Sequence, residues 1–143
     1  MKSVNILLVE DNEGDIVLTL EALAEAKLSN HVDVVRDGVE AIDFLENALA
    51  HDVNDLPDLI LLDINLPRID GKEVLQYIKN HNKLKKIPVV MLTTSSSELD
   101  ILDAYNNHAN CFITKPVDLN KFFNVVKVIE DFWITIVKLP SKE

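Results

Sequence analysis

The chain has 143 residues with a formal net charge of −10, and 48% of them are hydrophobic. This length suits one domain, the composition excludes a disordered chain, and the charge disfavours nucleic-acid binding because phosphates are repelled. No run approaches the roughly 18 apolar residues of a membrane helix, the start lacks the features of a signal peptide, and there is one cysteine. We therefore expect a cytoplasmic protein that binds neither nucleic acid nor membrane.

The first part of the chain alternates apolar runs with helical stripes. Val4–Val9 predicts a strand, and apolar residues then recur at helical spacing over Ile16–Ala24. Val32–Val34 alternates with polar neighbours, which predicts a shorter strand at the sheet edge, and Ala41–Leu49 carries the next helical stripe. Leu59–Leu62 is a continuous apolar run that ends on a carboxylate, and it is typical of a strand buried on both faces.

The second part repeats the same alternation. A helical stripe over Val74–Ile78 precedes a strand at Val89–Leu92, and Ser97 resembles the start of a capping box that opens the next helix. Cys111–Thr114 predicts the fifth strand, and a last helix is expected over about residues 118–139.

Five strand–helix units predict an α/β fold, a parallel sheet with helices on both faces. The connections are short, without a linker or an internal repeat, and only Ala48–Pro57 is loose enough for a long loop. We expect residues 1–143 to form a single domain.

Polar side chains follow the strands where a ligand would bind. Glu10 and Asp11 follow the first strand, Asp63 ends the third, Thr93 ends the fourth, and Lys115 follows the fifth. Each of these residues alone has an ordinary role as a turn former, strand end or solvated charge. Together they meet at the carboxyl edge of a parallel sheet, where three carboxylates repel unless a cation lies among them. Oxygen ligands without nearby His or Cys indicate Mg²⁺ rather than zinc.

A metal beside a lysine and a hydroxyl suits a phosphoryl group. The glycines Gly14, Gly38 and Gly71 are isolated, so the chain has neither a P-loop nor a dinucleotide-binding turn and holds no nucleotide of its own. A carboxylate nucleophile can instead accept phosphate from a donor and form an acyl phosphate. We assign that task to Asp63.

The segments "LLVEDN", "PDLILLDINLPRIDG", "IPVVMLTT" and "CFITKP" resemble the response-regulator receiver family over roughly Val4 to Phe132. The resemblance implies a doubly wound five-stranded sheet in the order 2-1-3-4-5. It also implies that Asp63 accepts phosphate from the phosphohistidine of a sensor histidine kinase. "VEDNEGD" and the acidic composition are most similar to small stand-alone receivers, some of which partner phytochrome-type kinases, so we expect no output domain.

The resemblance also implies roles for the other site residues. Glu10 and Asp11, with Asp63 and the backbone carbonyl of Asn65, are expected to hold Mg²⁺. Three further residues match the family's conformational switch, namely the hydroxyl of Thr93, the amine of Lys115 that pairs with the phosphoryl group, and the aromatic ring of Phe112.

Two other functions compete with this hypothesis. A phosphatase of the haloacid-dehalogenase type would need D-x-D-x-[TV] after the first strand, and the segment Glu10–Gly14 does not supply it. A scaffold that is never phosphorylated should lack an acidic residue, the acceptor or the lysine, and this chain keeps them all.

The last helix carries more apolar surface than a single core face needs. At 100° per residue its apolar arc spans about 240°, against the roughly 100° that packing on a sheet requires. The exposed remainder is expected to form a symmetric homodimer through this helix. One flank of the arc contains Phe132 and the other contains Ile134.

Overall fold

The computed structural model describes residues 4–25, 30–93, 111–114 and 124. The five strands are β1 (Val4–Val9), β2 (Asn30–Val35), β3 (Leu59–Asp63), β4 (Val89–Thr93) and β5 (Cys111–Thr114). The helices of the described part are α1 (Glu13–Glu25), α2 (Gly38–His51) and α3 (Gly71–Asn80), and a short 3-10 turn spans Val53–Asp55.

The strands form one sheet in the order β2-β1-β3-β4-β5, and every neighbouring pair is parallel. This confirms the expected α/β topology. β1 and β3 are therefore adjacent, with Val9 in register with Leu62, so the residues that follow both strands emerge side by side. The last residue of β3, Asp63, is in register with Leu92 on β4.

Alternate residues of the central strands enter two different cores. On one face, Leu7, Ile60 and Met91 pack in the cluster that contains buried residues of α2 and α3. On the other face, Leu8 and Leu61 pack in the cluster that contains residues of α1. Helices therefore cover both faces of the sheet, which is why consecutive residues in the central strands, such as Ile6–Val9 and Leu59–Leu62, are apolar.

Two details differ from the sequence prediction. The segment Ala48–Pro57 is not a long loop, because α2 continues through His51 and the 3-10 turn follows directly. Asp52 ends α2 with its N–H bonded to the carbonyl of Ala48, and its side chain caps the turn that follows. In α1, Ala24 is exposed rather than part of the buried stripe.

The predicted helix from Ser97 and the last helix over residues 118–139 lie outside the described residues, apart from Asn124, which is helical and exposed. The homodimer expected through the last helix therefore stays a prediction. Within the described ranges, no helix has both the length and the apolar content that crossing a membrane demands.

Candidate phosphorylation and metal site

The end of β1 places two carboxylates at the sheet edge. The N–H of Glu10 donates to the carbonyl of Val35 on β2 at 3.0 Å, so the backbone just beyond β1 is still attached to the sheet. Glu10 is completely buried, whereas Asp11 is exposed. One acid is thus fixed within the protein and the next faces solvent.

The end of β3 places a third carboxylate beside them. Asp63 is only 3% exposed, and one of its carboxylate oxygens, Oδ1, accepts a hydrogen bond from the N–H of Asn65 at 3.1 Å. Gly71, the first residue of α3, packs against the backbone at Asp63 so closely that a Cβ would lie 2.1 Å from the Asp63 carbonyl oxygen. The phosphoacceptor candidate is therefore held by the strand before it and the helix after it.

Glu10, Asp11 and Asp63 each offer a carboxylate oxygen, and these atoms lie within 4.8 Å of one another. The described part of the chain contains no second group of three metal-ligating side chains with this spacing. Two of the three carboxylates are buried, and buried like charges are costly unless a cation offsets them. An all-oxygen donor set also matches the preference of Mg²⁺ and Mn²⁺. The residues present fit a divalent ion.

The loop between β3 and α3 closes one side of the site. A cavity of about 410 Å³ lies here and is lined by Asp11, Ile64, Asn65, Leu66, Pro67, Asp70 and Lys72. Asp70 caps α3 by accepting from the N–H of Glu73 at 3.0 Å. Arg68, in the same loop, adopts a left-handed backbone with φ of 69°.

The same loop touches the start of α2. Nη1 of Arg68 lies 3.7 Å from Oδ2 of Asp37, the residue that caps α2. Gly38 packs so closely on the loop that a Cβ there would lie 2.1 Å from the carbonyl oxygen of Ile69. The loop that follows the candidate acceptor is thereby packed against the beginnings of both α2 and α3.

The backbone also places two of the expected switch residues. Thr93 is the last residue of β4 and is in register with Thr114 on β5, while Phe112 is in register with Met91. Thr93 immediately follows Leu92, the partner of Asp63, so its backbone is at the same edge of the sheet. Lys115 directly follows β5 and lies outside the described residues.

Sequence reasoning missed one residue that touches the site. The N–H of Asn12 donates to Oε2 of Glu10 at 3.3 Å, and the Asn12 side chain accepts from the N–H of Asp15 at 2.9 Å. The available signal was an Asn followed three residues later by an acid at the start of an apolar helical stripe, which is typical of a helix N-terminus.

The chain is similar to known proteins over nearly its whole length. The response regulator receiver domain family matches residues 6–127. Response regulator Rcp1 from Synechocystis sp. is 44% identical over 136 residues, which cover 95% of this chain and 92% of Rcp1.

Solved structures agree with the sequence matches. The crystal structure of the phosphorylated cyanobacterial phytochrome response regulator RcpA aligns with a TM-score of 0.78 at 48% identity, covering 98% of this chain and 100% of that one. The crystal structure of the Mn²⁺-bound form of Rcp1 aligns with a TM-score of 0.76 at 42% identity, covering 96% of this chain and 99% of that one. The structure of the bacteriophytochrome response regulator AtBRR aligns with a TM-score of 0.77 at 42% identity, covering 100% of both chains.

Proposed function

The chain belongs to the response regulator receiver family, and we propose that Asp63 is the residue on which it is phosphorylated. Receivers of this family signal through phosphorylation in two-component systems. The observation that carries the assignment is the position of Asp63, buried at a strand end within 4.8 Å of two other carboxylates. A scaffold that is never phosphorylated has no need for this costly arrangement.

We propose that the divalent ion is Mg²⁺, held by carboxylate oxygens of Glu10, Asp11 and Asp63 and by the backbone carbonyl of Asn65. When bound, the ion would neutralise charge on the phosphoryl oxygens. The Mn²⁺-bound form of Rcp1 supports a divalent site in a close relative. The exposed carboxylate of Asp11 gives the ion an approach from solvent.

The transfer itself needs one nucleophile and one leaving group. A carboxylate oxygen of Asp63 attacks the phosphorus of a phosphohistidine, a P–O bond forms, and the P–N bond breaks. The leaving imidazole nitrogen takes up a proton, and Asp63 becomes an acyl phosphate. The fixed backbone around Asp63 keeps the attacking oxygen in place, which lowers the entropic part of the barrier.

Phosphorylation of Asp63 is proposed to trigger the conformational change that is typical of the receiver family. Thr93 would donate its hydroxyl to a phosphoryl oxygen, Lys115 would pair with another, and Phe112 would change its side-chain position as Thr93 moves. The order β3-β4-β5 supports this proposal, because the end of β4 is beside Asp63 and the end of β5 is one strand further along the same edge.

The proposed donor is a sensor histidine kinase of the phytochrome type. RcpA is a cyanobacterial phytochrome response regulator and AtBRR a bacteriophytochrome response regulator, and both are more than 40% identical to this chain. Residues 1–143 are proposed to act as one receiver unit, a signalling module whose phosphorylated state is read by protein partners. Self-association through the last helix is part of this proposal.

A labelling experiment tests the assignment. Incubation with a small acyl phosphate donor and Mg²⁺ should add one phosphoryl group by mass spectrometry, and hydroxylamine should remove it. Asp63→Asn should abolish the mass increase while the protein stays folded, because the amide is nearly isosteric. Asp70→Asn is the matched control: it removes a carboxylate of the adjoining cavity yet keeps an oxygen that can cap α3. Full labelling of Asp63→Asn would refute the proposal.

A further inference from the structure

We propose that Asn12 is a positioning residue for the metal site, which it serves through the N-cap of α1 rather than by contact with the ion. The inference rests on the proposed function, because it concerns the divalent site assigned above. It adds a residue that is neither a ligand nor part of the expected switch.

The first step is the burial of Glu10. This side chain has no exposed surface, so its carboxylate direction is set by protein groups rather than by water. One of those groups is the N–H of Asn12, which donates to Oε2 at 3.3 Å. A donor to one carboxylate oxygen limits rotation of the carboxylate, and ligand orientation of this kind governs metal affinity.

The direction of the Asn12 N–H is fixed by the bonds that Asn12 makes at the start of α1. Asn12 precedes α1, and Oδ1 of its side chain accepts from the N–H of Asp15 at 2.9 Å. Its carbonyl accepts from the N–H of Ile16 at 2.9 Å, the first bond of the helix. These two bonds are those of an N-cap residue, whose backbone angles are set by the cap. The cap of α1 therefore also orients a donor to a metal ligand.

The third step separates this role from direct binding. Asn12 is exposed, and its side-chain oxygen is engaged by the helix. Replacing Asn12 thus removes neither a metal-ligating carboxylate nor a side chain of the core. Loss of the cap should act on the metal through the bond from Asn12 to Glu10, without removing any ligand.

The test measures binding of Mn²⁺ to the unphosphorylated protein, from the electron paramagnetic resonance signal of the free ion. Asn12→Ala should weaken Mn²⁺ binding by about tenfold, the lower end of the range for groups that orient metal ligands. Asn12→Ser keeps a neutral capping oxygen and should restore binding. Asn12→Gln keeps the amide but moves its oxygen beyond capping distance, so it should behave like Ala. If one of the cap-removing variants does not fold, the other still provides the test.

A second read-out needs no metal. Hydrogen exchange at the Asp15 amide should speed up in Asn12→Ala and return to the wild-type rate in Asn12→Ser. The matched control is Asp52→Ala, which removes an exposed cap from the 3-10 turn after α2. α2 has 14 residues, so this turn is about 20 Å from the capped start of that helix, and Mn²⁺ binding should not change.

The outcomes are distinct. Faster exchange at Asp15 with unchanged Mn²⁺ affinity would overturn the inference, as would weak binding that Asn12→Ser does not restore. Glu10→Gln separates this failure from that of the proposed function. If it binds Mn²⁺ as wild type does, the metal site itself is misassigned. If it binds weakly while Asn12→Ala binds normally, only the role of Asn12 is wrong.

Discussion

Gly71 illustrates how a single residue constrains the acceptor. An added Cβ would lie 2.1 Å from the carbonyl oxygen of Asp63 and 2.7 Å from Cα of Ile64, and both are backbone atoms that cannot rotate away. Gly71→Ala should therefore lower the free energy of unfolding by at least about 2 kcal/mol. It should also slow phosphorylation, because α3 must move away from Asp63.

Gly14→Ala is the control for that substitution. Its Cβ would meet the capping oxygen of Asn12 at 3.3 Å, which belongs to a side chain and not to the backbone, so denaturant unfolding should show a much smaller loss of stability than for Gly71→Ala. A wild-type stability and labelling rate for Gly71→Ala would contradict the close packing described here.

Arg68 affects the stability of the protein in two opposite ways, through its strained backbone and through its ion pair with Asp37. Its left-handed backbone, with φ of 69°, costs a residue other than glycine about 1–2 kcal/mol. Its contact with Asp37 is 3.7 Å long and its side chain is 64% exposed, so the ion pair contributes well under about 1 kcal/mol. Arg68→Gly should therefore raise the free energy of unfolding by about 0.5–1 kcal/mol.

Arg68→Ala provides the comparison, because it removes the same ion pair while keeping the backbone strain. Denaturant unfolding should find it slightly less stable than wild type. If both variants are destabilised by the same amount, the ion pair rather than the backbone decides the energetics of this loop.

The sequence predicted which acids meet but not how they are held. Glu10 and Asp11 follow β1 and Asp63 ends β3, two strands whose ends a parallel sheet brings to one edge, and this placement can be predicted from the pattern. The burial of Glu10 and its bond from Asn12 cannot, because they depend on the turn that starts α1. The close approach of Gly71 to Asp63 was equally invisible, since an isolated glycine has many uses.

At the scale of elements, α2 and α3 are joined by a tyrosine that should respond to pH. The hydroxyl of Tyr77 on α3 donates to Oε1 of Glu46 on α2 at 3.1 Å. Partial burial, and then the hydrogen bond and charge of Glu46, raise the pKa of Tyr77 from 10.0 to about 12. The folded protein thus keeps this proton at a pH where the unfolded chain has lost it.

Proton linkage determines whether the stability rises or falls with pH. A raised pKa contributes stability that is fully present below pH 10.0 and is lost as the pH rises through about 12. Tyr77→Phe should therefore be less stable than wild type near pH 8, by no more than about 1 kcal/mol. The difference should shrink between pH 10 and 12. Denaturant titrations across this range test it, and a difference that stays constant or grows with pH would contradict it.

Lys79 on α3 should change the stability with pH in the opposite direction, but its contribution is the same in wild type and in Tyr77→Phe. Burial lowers its pKa from 10.5, so stability should rise as the pH increases from the lowered value to 10.5. Its Nζ donates to the carbonyls of Lys85 and Ile87, at 3.1 and 2.8 Å, in both wild type and Tyr77→Phe. The difference between the two proteins isolates Tyr77.

Element boundaries were less predictable than element order. α1 buries Thr19, whose hydroxyl bonds the carbonyl of Asp15 at 2.8 Å, together with Ala22. A hydrophobic pattern does not count a threonine that satisfies its own polar group, so the predicted stripe was right at Ile16 and Leu23 but included the exposed Ala24. α2 runs on to His51 because Ala48–Ala50 are good helix formers and no glycine or proline interrupts them.

At the scale of the whole molecule, the dimer prediction concerns the last helix, outside the described residues. Phe132→Glu and Ile134→Glu place a charge on opposite flanks of its apolar arc. One of them should give a folded monomer and the other should stay a dimer, because a symmetric pair uses a single flank. Sedimentation compares the two with wild type. A wild-type monomer at tens of micromolar, with and without phosphorylation, would contradict the prediction.

The whole molecule has a net charge of −10, yet three of its carboxylates meet at one edge of the sheet. Borohydride reduction of the phosphorylated wild-type protein, followed by peptide mapping, tests directly what that site is for. Borohydride converts an aspartyl phosphate to homoserine, so we expect conversion at residue 63 alone, and none when a chelator is present during the phosphorylation step. Conversion at Glu10 or Asp11 with Asp63 left intact would contradict it.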